Sequence, residues 1–267
     1  MSITFEKYLK SKNLSQNTQK VYLFTVKQYQ SKYLIINEKN LQSYKTFLVD
    51  NYKIKTVNLR IQAINTYLKY LKKDHLRLSL LKLQQKNFLE NVISEADYEY
   101  FKKCLKKDKN YYWYFVIRFI TATGARVSEL VQFKVEHVKI GYFDLYSKGG
   151  KLRRIYIPKK LQEEALRWFE SIGLSNGFIF KNKYGKRITT RGIGGELKKL
   201  GIKYGLNPKV IYPHSFRHRF AKSFLDRFND ISLLADLMGH ESIETTRIYL
   251  RRTSTEQQEI VNKIIDW

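Results

Sequence analysis

Val138-Lys-Ile-Gly-Tyr-Phe-Asp-Leu-Tyr-Ser-Lys-Gly-Gly-Lys-Leu-Arg-Arg-Ile-Tyr-Ile-Pro158 is the stretch that decides the fold class of this chain. Val138–Ser147 and Leu152–Pro158 are rich in β-branched and aromatic residues. The Gly149-Gly150 pair between them supplies the positive φ angles of a tight turn, so a β-hairpin is predicted with Lys148 and Lys151 at its tip. Outward from the hairpin the apolar spacing is helical. Helices are predicted at 95–106, 110–122 (ended by Gly124) and 128–133 on one side, and at 159–172, 190–204, 215–228, 230–237, 242–250 and 254–265 on the other. A short strand is expected near Phe178–Lys181. The fold class is therefore mainly α with a small β-sheet, of the α+β kind.

Further toward the N-terminus four more helices are predicted, at 3–11, at 15–31 behind a Ser15 cap, at 38–50 behind Asn37, and at 56–73. In the last, Val57, Ile61, Ile64, Leu68 and Leu71 step by 4, 3, 4 and 3 along one face. Lysines, among them Lys20, Lys27, Lys53 and Lys55, fall between the apolar positions, facing solvent or phosphate. Residues 1–73 carry 14 Lys or Arg against 3 Asp or Glu, the densest positive charge in the chain. The 74–93 stretch is close to neutral, and Ser94-Glu-Ala-Asp97 offers a new helix start. Two domains, 1–73 and 91–267, with a linker at 74–90, are expected.

The 267 residues carry a formal charge of +26, with a pI near 9.9. A surface so one-sided repels itself unless a polyanion or an anionic membrane balances it. A spanning helix needs roughly 20 predominantly apolar residues, and no such run exists. The N-terminus has no apolar run followed by a cleavage site, so a cytoplasmic protein is expected. The single cysteine, Cys104, with Lys102 and Lys103 beside it, reads as structural.

Candidate chemistry sits beside turns and caps. Arg126 follows Gly124-Ala125 at a helix junction, where Ser128 suits a cap and Glu129 suits bracing an arginine. His214 and Arg217 are three apart and share a helix face. His240 follows Gly239, a helix C-cap, and Tyr249 ends Thr245-Thr-Arg-Ile-Tyr249. Paired arginines match phosphate oxygens, a tyrosine hydroxyl is a covalent nucleophile, and a lysine such as Lys148 serves as an acid, so the set suits phosphoryl transfer. Taken singly, Arg126 reads first as a salt-bridge partner for Glu129 and His214 as a satisfied core or capping histidine. His214 and His218, four apart, also have zinc spacing, but a third ligand is not evident. Motifs for ATP or metal-assisted hydrolysis are absent.

The ordered set Thr123-Gly-Ala-Arg-Val-Ser-Glu-Leu130, Ser147-Lys-Gly-Gly-Lys-Leu-Arg153, His214-Ser-Phe-Arg-His218, Leu237-Met-Gly-His240 and Tyr249 resembles the tyrosine recombinase (phage integrase) family, in the simple two-domain, Xer-like or transposon-type form. The resemblance implies a two-domain DNA clamp with a helical, SAM-like core-binding domain before the catalytic domain. It implies that Arg126 and Arg217 clamp the phosphate, that His214 and His240 assist, that Tyr249 is the nucleophile and that Lys148 is the acid, because the family's lysine precedes the turn glycine. Glu129 would support the first arginine. Lys20, Lys27, Lys53, Lys55, Lys151 and Arg153 are expected to contact DNA. The implied reaction is site-specific recombination through a 3′-phosphotyrosyl intermediate and a Holliday junction, with neither metal nor cofactor. The implied partners are double-stranded DNA sites, a homotetramer on two sites, and a directionality factor or translocase; nucleoid association follows. The apolar tail, 254–267, is expected as a helix exchanged between subunits. Type IB topoisomerase-like relaxation and a non-catalytic DNA-binding regulator are the alternatives.

Overall fold

The computed structural model describes residues 4–83, 91–146, 152–240, 242–250, 258, 261 and 262. The chain divides into two compact units, Met1–Gln85 and Lys86–Trp267.

The first unit contains α1 (Phe5–Ser11), α2 (Gln16–Lys32), α3 (Glu38–Asn51) and α4 (Ile54–Tyr70). The first three start at polar caps. Thr4, Ser15 and Asn37 accept from the backbone N–H of Lys7, Thr18 and Asn40, the last two at 3.1 and 2.8 Å. Such a cap contributes about 1 kcal/mol. The α4 stripe buries Val57, Ile61, Ile64 and Leu68 against Val26 and Tyr29 of α2 and Tyr44 and Leu48 of α3. Each such burial stabilises by about 2 kcal/mol.

The expected linker at 74–90 needs correction over its described part. A 3-10 turn at Asp74–Leu76 leads into an extended segment that packs on α4, with Leu78 buried in the same core. Asn65 donates from Nδ2 to the Leu78 carbonyl and accepts from the Leu78 N–H, both at 2.9 Å. Asn58 does the same for Leu81, at 2.9 and 2.8 Å. Seven helical residues advance about 10.5 Å. Three extended residues advance about 10 Å, so the two asparagines on one face of α4 match the backbone groups of residues 78 and 81. Residues 84–90 lie outside the described part.

The second unit contains α5 (Glu95–Lys107), α6 (Tyr111–Thr123), α7 (Val127–Leu130), α8 (Val135–Ile140), β1 (Tyr142–Tyr146), β2 (Leu152–Tyr156), α9 (Lys159–Ser171), α10 (Thr190–Lys203), α11 (Pro213–Arg227), α12 (Ile231–Met238) and α13 (Ile243–Arg247). Tyr114, Phe115, Val116, Ile117, Phe119 and Ile120 of α6 are all buried. A helix apolar all round belongs in the centre, and α5, α9 and α11 pack on α6.

The hairpin is antiparallel, pairing Phe143 with Ile155 and Leu145 with Arg153. It begins later than expected. Val138-Lys-Ile140 belongs to α8, because Val135 and Val138 bury one turn apart and Gly141, at φ +87°, ends the helix. The segment near Phe178–Lys181 forms only isolated bridges, Lys134 with Phe178 and Lys181 with Arg187. The helix expected at 128–133 is the single turn Val127–Leu130, and its N-cap is Arg126 in place of Ser128. Of the expected C-terminal helix, 254–267, only residues 258, 261 and 262 are described, as helical. No helix among the described residues is long and apolar enough to cross a membrane.

Candidate active site

Three carbonyls of one helix end organise the site. The last carbonyls of a helix have no intrahelical partner and carry the negative end of its dipole, so they attract cations. At the end of α12 each of three consecutive carbonyls takes one arginine. Arg153 Nη2 donates to Leu237 O at 2.8 Å, Arg217 Nη2 to Met238 O at 2.7 Å, and Arg126 Nη2 to Gly239 O at 2.8 Å. These arginines come from β2, α11 and the α6–α7 junction, so the helix end gathers side chains from three parts of the chain.

Glu129 ties them further. Its Oε1 accepts from Arg126 Nη1 at 2.8 Å and from Arg153 Nη1 at 2.6 Å, and its Oε2 accepts the Arg126 backbone N–H at 2.7 Å. Arg217 Nη1 lies 3.9 Å from Oε2 and donates to the Gly124 carbonyl at 2.6 Å. Burial pushes the Glu129 carboxyl up, but Arg153 and Arg126 outweigh it and hold the group below its ordinary value. Three guanidinium groups against one carboxylate leave two positive charges in excess, a setting for an anion. Arg126 keeps 35% of its side chain open, whereas Arg217 keeps 4% and Arg153 11%. Burial first, then Arg126 and Arg153, lower Arg217 to about 10, so it stays charged at neutral pH.

Two glycines make the close approach feasible. Gly124 and Gly239 sit at φ +63° and +60°, ending α6 and α12 in the left-handed region. A Cβ on Gly124 would meet the Phe220 ring at 2.4 Å, and one on Gly239 would meet Arg153 Cδ at 2.2 Å.

His240 follows directly. Its Nε2 is 3.2 Å from Arg217 Nη2 and its Nδ1 2.7 Å from Thr246 Oγ1. A guanidinium only donates, so Nε2 accepts and the ring proton sits on Nδ1, donating to the threonine. Burial, followed by Arg217 and Arg126, pushes His240 down to about 4. The Tyr249 ring stacks on His240 at 6.3 Å and 10°. Tyr249 is itself buried, packed with Ala221, Leu225, Leu234 and Met238. Burial raises its hydroxyl above the ordinary phenol range, against the pull of Arg217. His214, exposed at the start of α11, is lowered by desolvation first and then by Arg217 and Arg126.

Arg126, Glu129, His214, Arg217, His240 and Tyr249 are thus brought together. Lys148 and Lys151 lie outside the described residues. Lys20, Lys27, Lys53 and Lys55 are exposed in the first unit. Arg153 needs correction: expected on DNA, it faces inward. It alternates with Arg154 along β2 and shares the face of buried Ile155, so its guanidinium is used on Glu129 and Leu237. The alternation Arg153, Ile155, Ile157 carried that signal in the sequence. One neighbour was missed: His218 Nδ1 lies 2.9 Å from the Tyr249 hydroxyl. His218 is four residues from His214 and one from Arg217, and that spacing held the signal.

A cleft of about 1030 Å³ opens beside Arg126, Arg153, Gly239 and His240, walled by the hairpin and α12. Tyr249 is not on its wall. Among the described residues no group of three His, Cys, Asp or Glu is placed to hold a metal ion.

Comparison with known proteins places these residues in context. The model of the phage integrase family matches residues 91–256. Tyrosine recombinase XerA of Pyrococcus horikoshii is 29% identical over 97% of this chain and 91% of its own length. Tyrosine recombinase XerC of Leptospira interrogans is likewise 29% identical, with the same coverage of each chain. Among solved structures, XerH site-specific recombinase bound to palindromic difH substrate superposes with a TM-score of 0.73 at 21% identity, over 97% of this chain and 82% of that one, a likeness of fold.

Proposed function

The chain belongs to the phage integrase family, and from that premise we propose that it is a site-specific DNA recombinase, cutting and rejoining duplex DNA through a 3′-phosphotyrosyl intermediate and a Holliday junction. The observation that carries the reading is the anchoring of Arg126 and Arg217 on the Gly239 and Met238 carbonyls, with two positive charges in excess. That arrangement suits the charge that builds on a phosphate as it becomes pentacovalent.

In this reading Tyr249 attacks the scissile phosphate, and Arg126 and Arg217, with His214 and His240, stabilise the transition state. Lys148 protonates the departing 5′-oxygen. Glu129 holds Arg126 in place. The bond energy is kept in the phosphotyrosyl link, so a 5′-hydroxyl from a partner duplex reverses the step and exchanges the strand. Lys20, Lys27, Lys53, Lys55 and Lys151 make salt-sensitive contacts with backbone phosphates. Four subunits act on two sites, with the 254–267 helix exchanged between them, and a directionality factor or translocase sets the outcome of the reaction.

The experiment is incubation with a nicked suicide duplex selected by the protein from a randomised pool, in EDTA and without ATP. A denaturing gel and peptide mapping then read the product. A covalent adduct through Tyr249 is expected, and it disappears in Tyr249→Phe. An adduct that persists in that variant refutes the nucleophile assignment.

A further inference from the structure

Four groups in the site have lone pairs suited to receiving a proton, and their engagements differ. Glu129 is taken up by Arg126 and Arg153. His240 accepts from Arg217 on one nitrogen and faces Thr246 with the other. His214 is exposed at the helix start. His218 alone among the described imidazoles places a ring nitrogen, Nδ1, on the Tyr249 hydroxyl, at 2.9 Å. It does so from α11, the helix that carries Arg217, so the acceptor and the clamp are adjacent on one rigid element.

We propose that His218 takes the phenolic proton of Tyr249 as its oxygen attacks phosphorus and returns it when the strand is resealed; this rests on Tyr249 being the nucleophile. In cleavage the O–H bond of Tyr249 breaks as the Oη–P bond forms, and the proton moves to Nδ1, giving an imidazolium. The P–O5′ bond breaks and the 5′-oxygen takes a proton from Lys148. In rejoining, the attacking 5′-hydroxyl gives its proton to Lys148, and the imidazolium proton returns to Oη.

The electrostatics fit a transfer confined to the transition state. Burial, then His214 and Arg217, push His218 down to about 4, so its ring is neutral at neutral pH. The groups facing it are His214, with ring centroids 6.3 Å apart, Arg217, and Tyr249, on which His240 also stacks. So weak a base leaves the resting phenol protonated. As the Oη–P bond forms, the oxygen loses its affinity for the proton and the transfer becomes favourable.

The test uses the full chain and the same selected, nicked duplex. His218→Gln and His218→Asn are each expected to slow adduct formation by at least about 100-fold at saturating protein. Their rates are expected to rise with pH across the neutral range, where the wild-type rate is flat. Free imidazole is expected to restore part of the rate in His218→Gly. A 5′-bridging phosphorothiolate, whose sulfur leaves without a proton, is expected to rescue Lys148→Ala but not His218→Gln. Adduct formation at the wild-type rate or faster in both variants overturns the proposal. So does slow cleavage indifferent to pH and imidazole, the pattern of a packing defect. In either case, loss of the adduct in Tyr249→Phe leaves the nucleophile standing; an adduct in Tyr249→Phe removes both.

Discussion

Arg126 and Arg153 donate to the same oxygen, Oε1 of Glu129, at 2.8 and 2.6 Å, and each also holds a carbonyl at the end of α12. The hairpin, the α6–α7 junction and the end of α12 are therefore joined around one carboxylate. A change at any member is felt by the others, which makes the network accessible to measurement.

Replacing Glu129 with Gln leaves Arg126 and Arg153 without their counter-charge. Removing one partner of a buried pair costs on the order of 3 kcal/mol. The carboxyl of Glu129 is held below its ordinary 4.5 in the folded protein, so its stabilisation is full above about that pH. It is lost as the pH falls through the lower folded value. Urea midpoints measured from pH 7 downward should show a lower plateau for Glu129→Gln and a shallower acid decline than wild type. An unchanged plateau contradicts the bracing role.

Gly239→Ala and Gly173→Ala separate backbone strain from side-chain approach. Both glycines have positive φ, +60° and +66°, but only at Gly239 does a Cβ meet a neighbour, Arg153. Gly173→Ala is expected to cost about 1 kcal/mol. Gly239→Ala should cost roughly twice that or more, a fall in melting temperature on the order of 5 °C. In an Arg153→Ala background the excess at Gly239 should vanish; equal costs in both backgrounds contradict the contact.

Arg153→Lys and Lys53→Ala should fail differently. A lysine keeps the charge but loses the fork that reaches Glu129 and Leu237 together, so adduct formation should fall by at least about 10-fold while the salt dependence of DNA binding is kept. Lys53→Ala should instead lower the slope of log affinity against log salt by about 1. A salt slope lowered by about 1 in Arg153→Ala, which removes the charge, would place the Arg153 guanidinium on DNA after all.

His218 and His240 are both pushed to about 4, below the ordinary 6.5. Between those values the unfolded chain binds protons that the folded chain does not. The stability these groups contribute is present above about 6.5 and lost as the pH falls through 4. His240→Asn should therefore lose less stability than wild type between pH 7 and 4, read as the change in urea midpoint. An identical decline argues that the ring is not kept neutral.

Asn65→Ala removes both hydrogen bonds to the Leu78 backbone. Buried backbone groups left unpaired cost about 1–3 kcal/mol each. The first unit should be destabilised by roughly 2 kcal/mol or more, and protease should cut within 74–83 before it cuts within α4. Resistance equal to wild type shows that the segment is held by Leu78 alone.

The sequence by itself determined the helices and the paired strands wherever the signal is local. Caps at Ser15 and Asn37, the left-handed ends at Gly124 and Gly239, and the stripe of α4 need only near neighbours to act. The hairpin starts one turn after Val138 because the helical spacing of buried Val135 and Val138 outweighs their β-branched composition. Tertiary structure alone decided the pairings. Asn58 and Asn65 interrupt an apolar face for no local reason, and only the extended segment folded back on them supplies their partners. Arg153 has the charge of a surface residue, yet the pleat of β2 turns it inward, where Glu129 and the Leu237 carbonyl satisfy it. His218 and Tyr249 are 31 residues apart, and no periodicity joins them. A hydrogen bond depends on distance and direction in space, and those are fixed when the helices pack, not when they form.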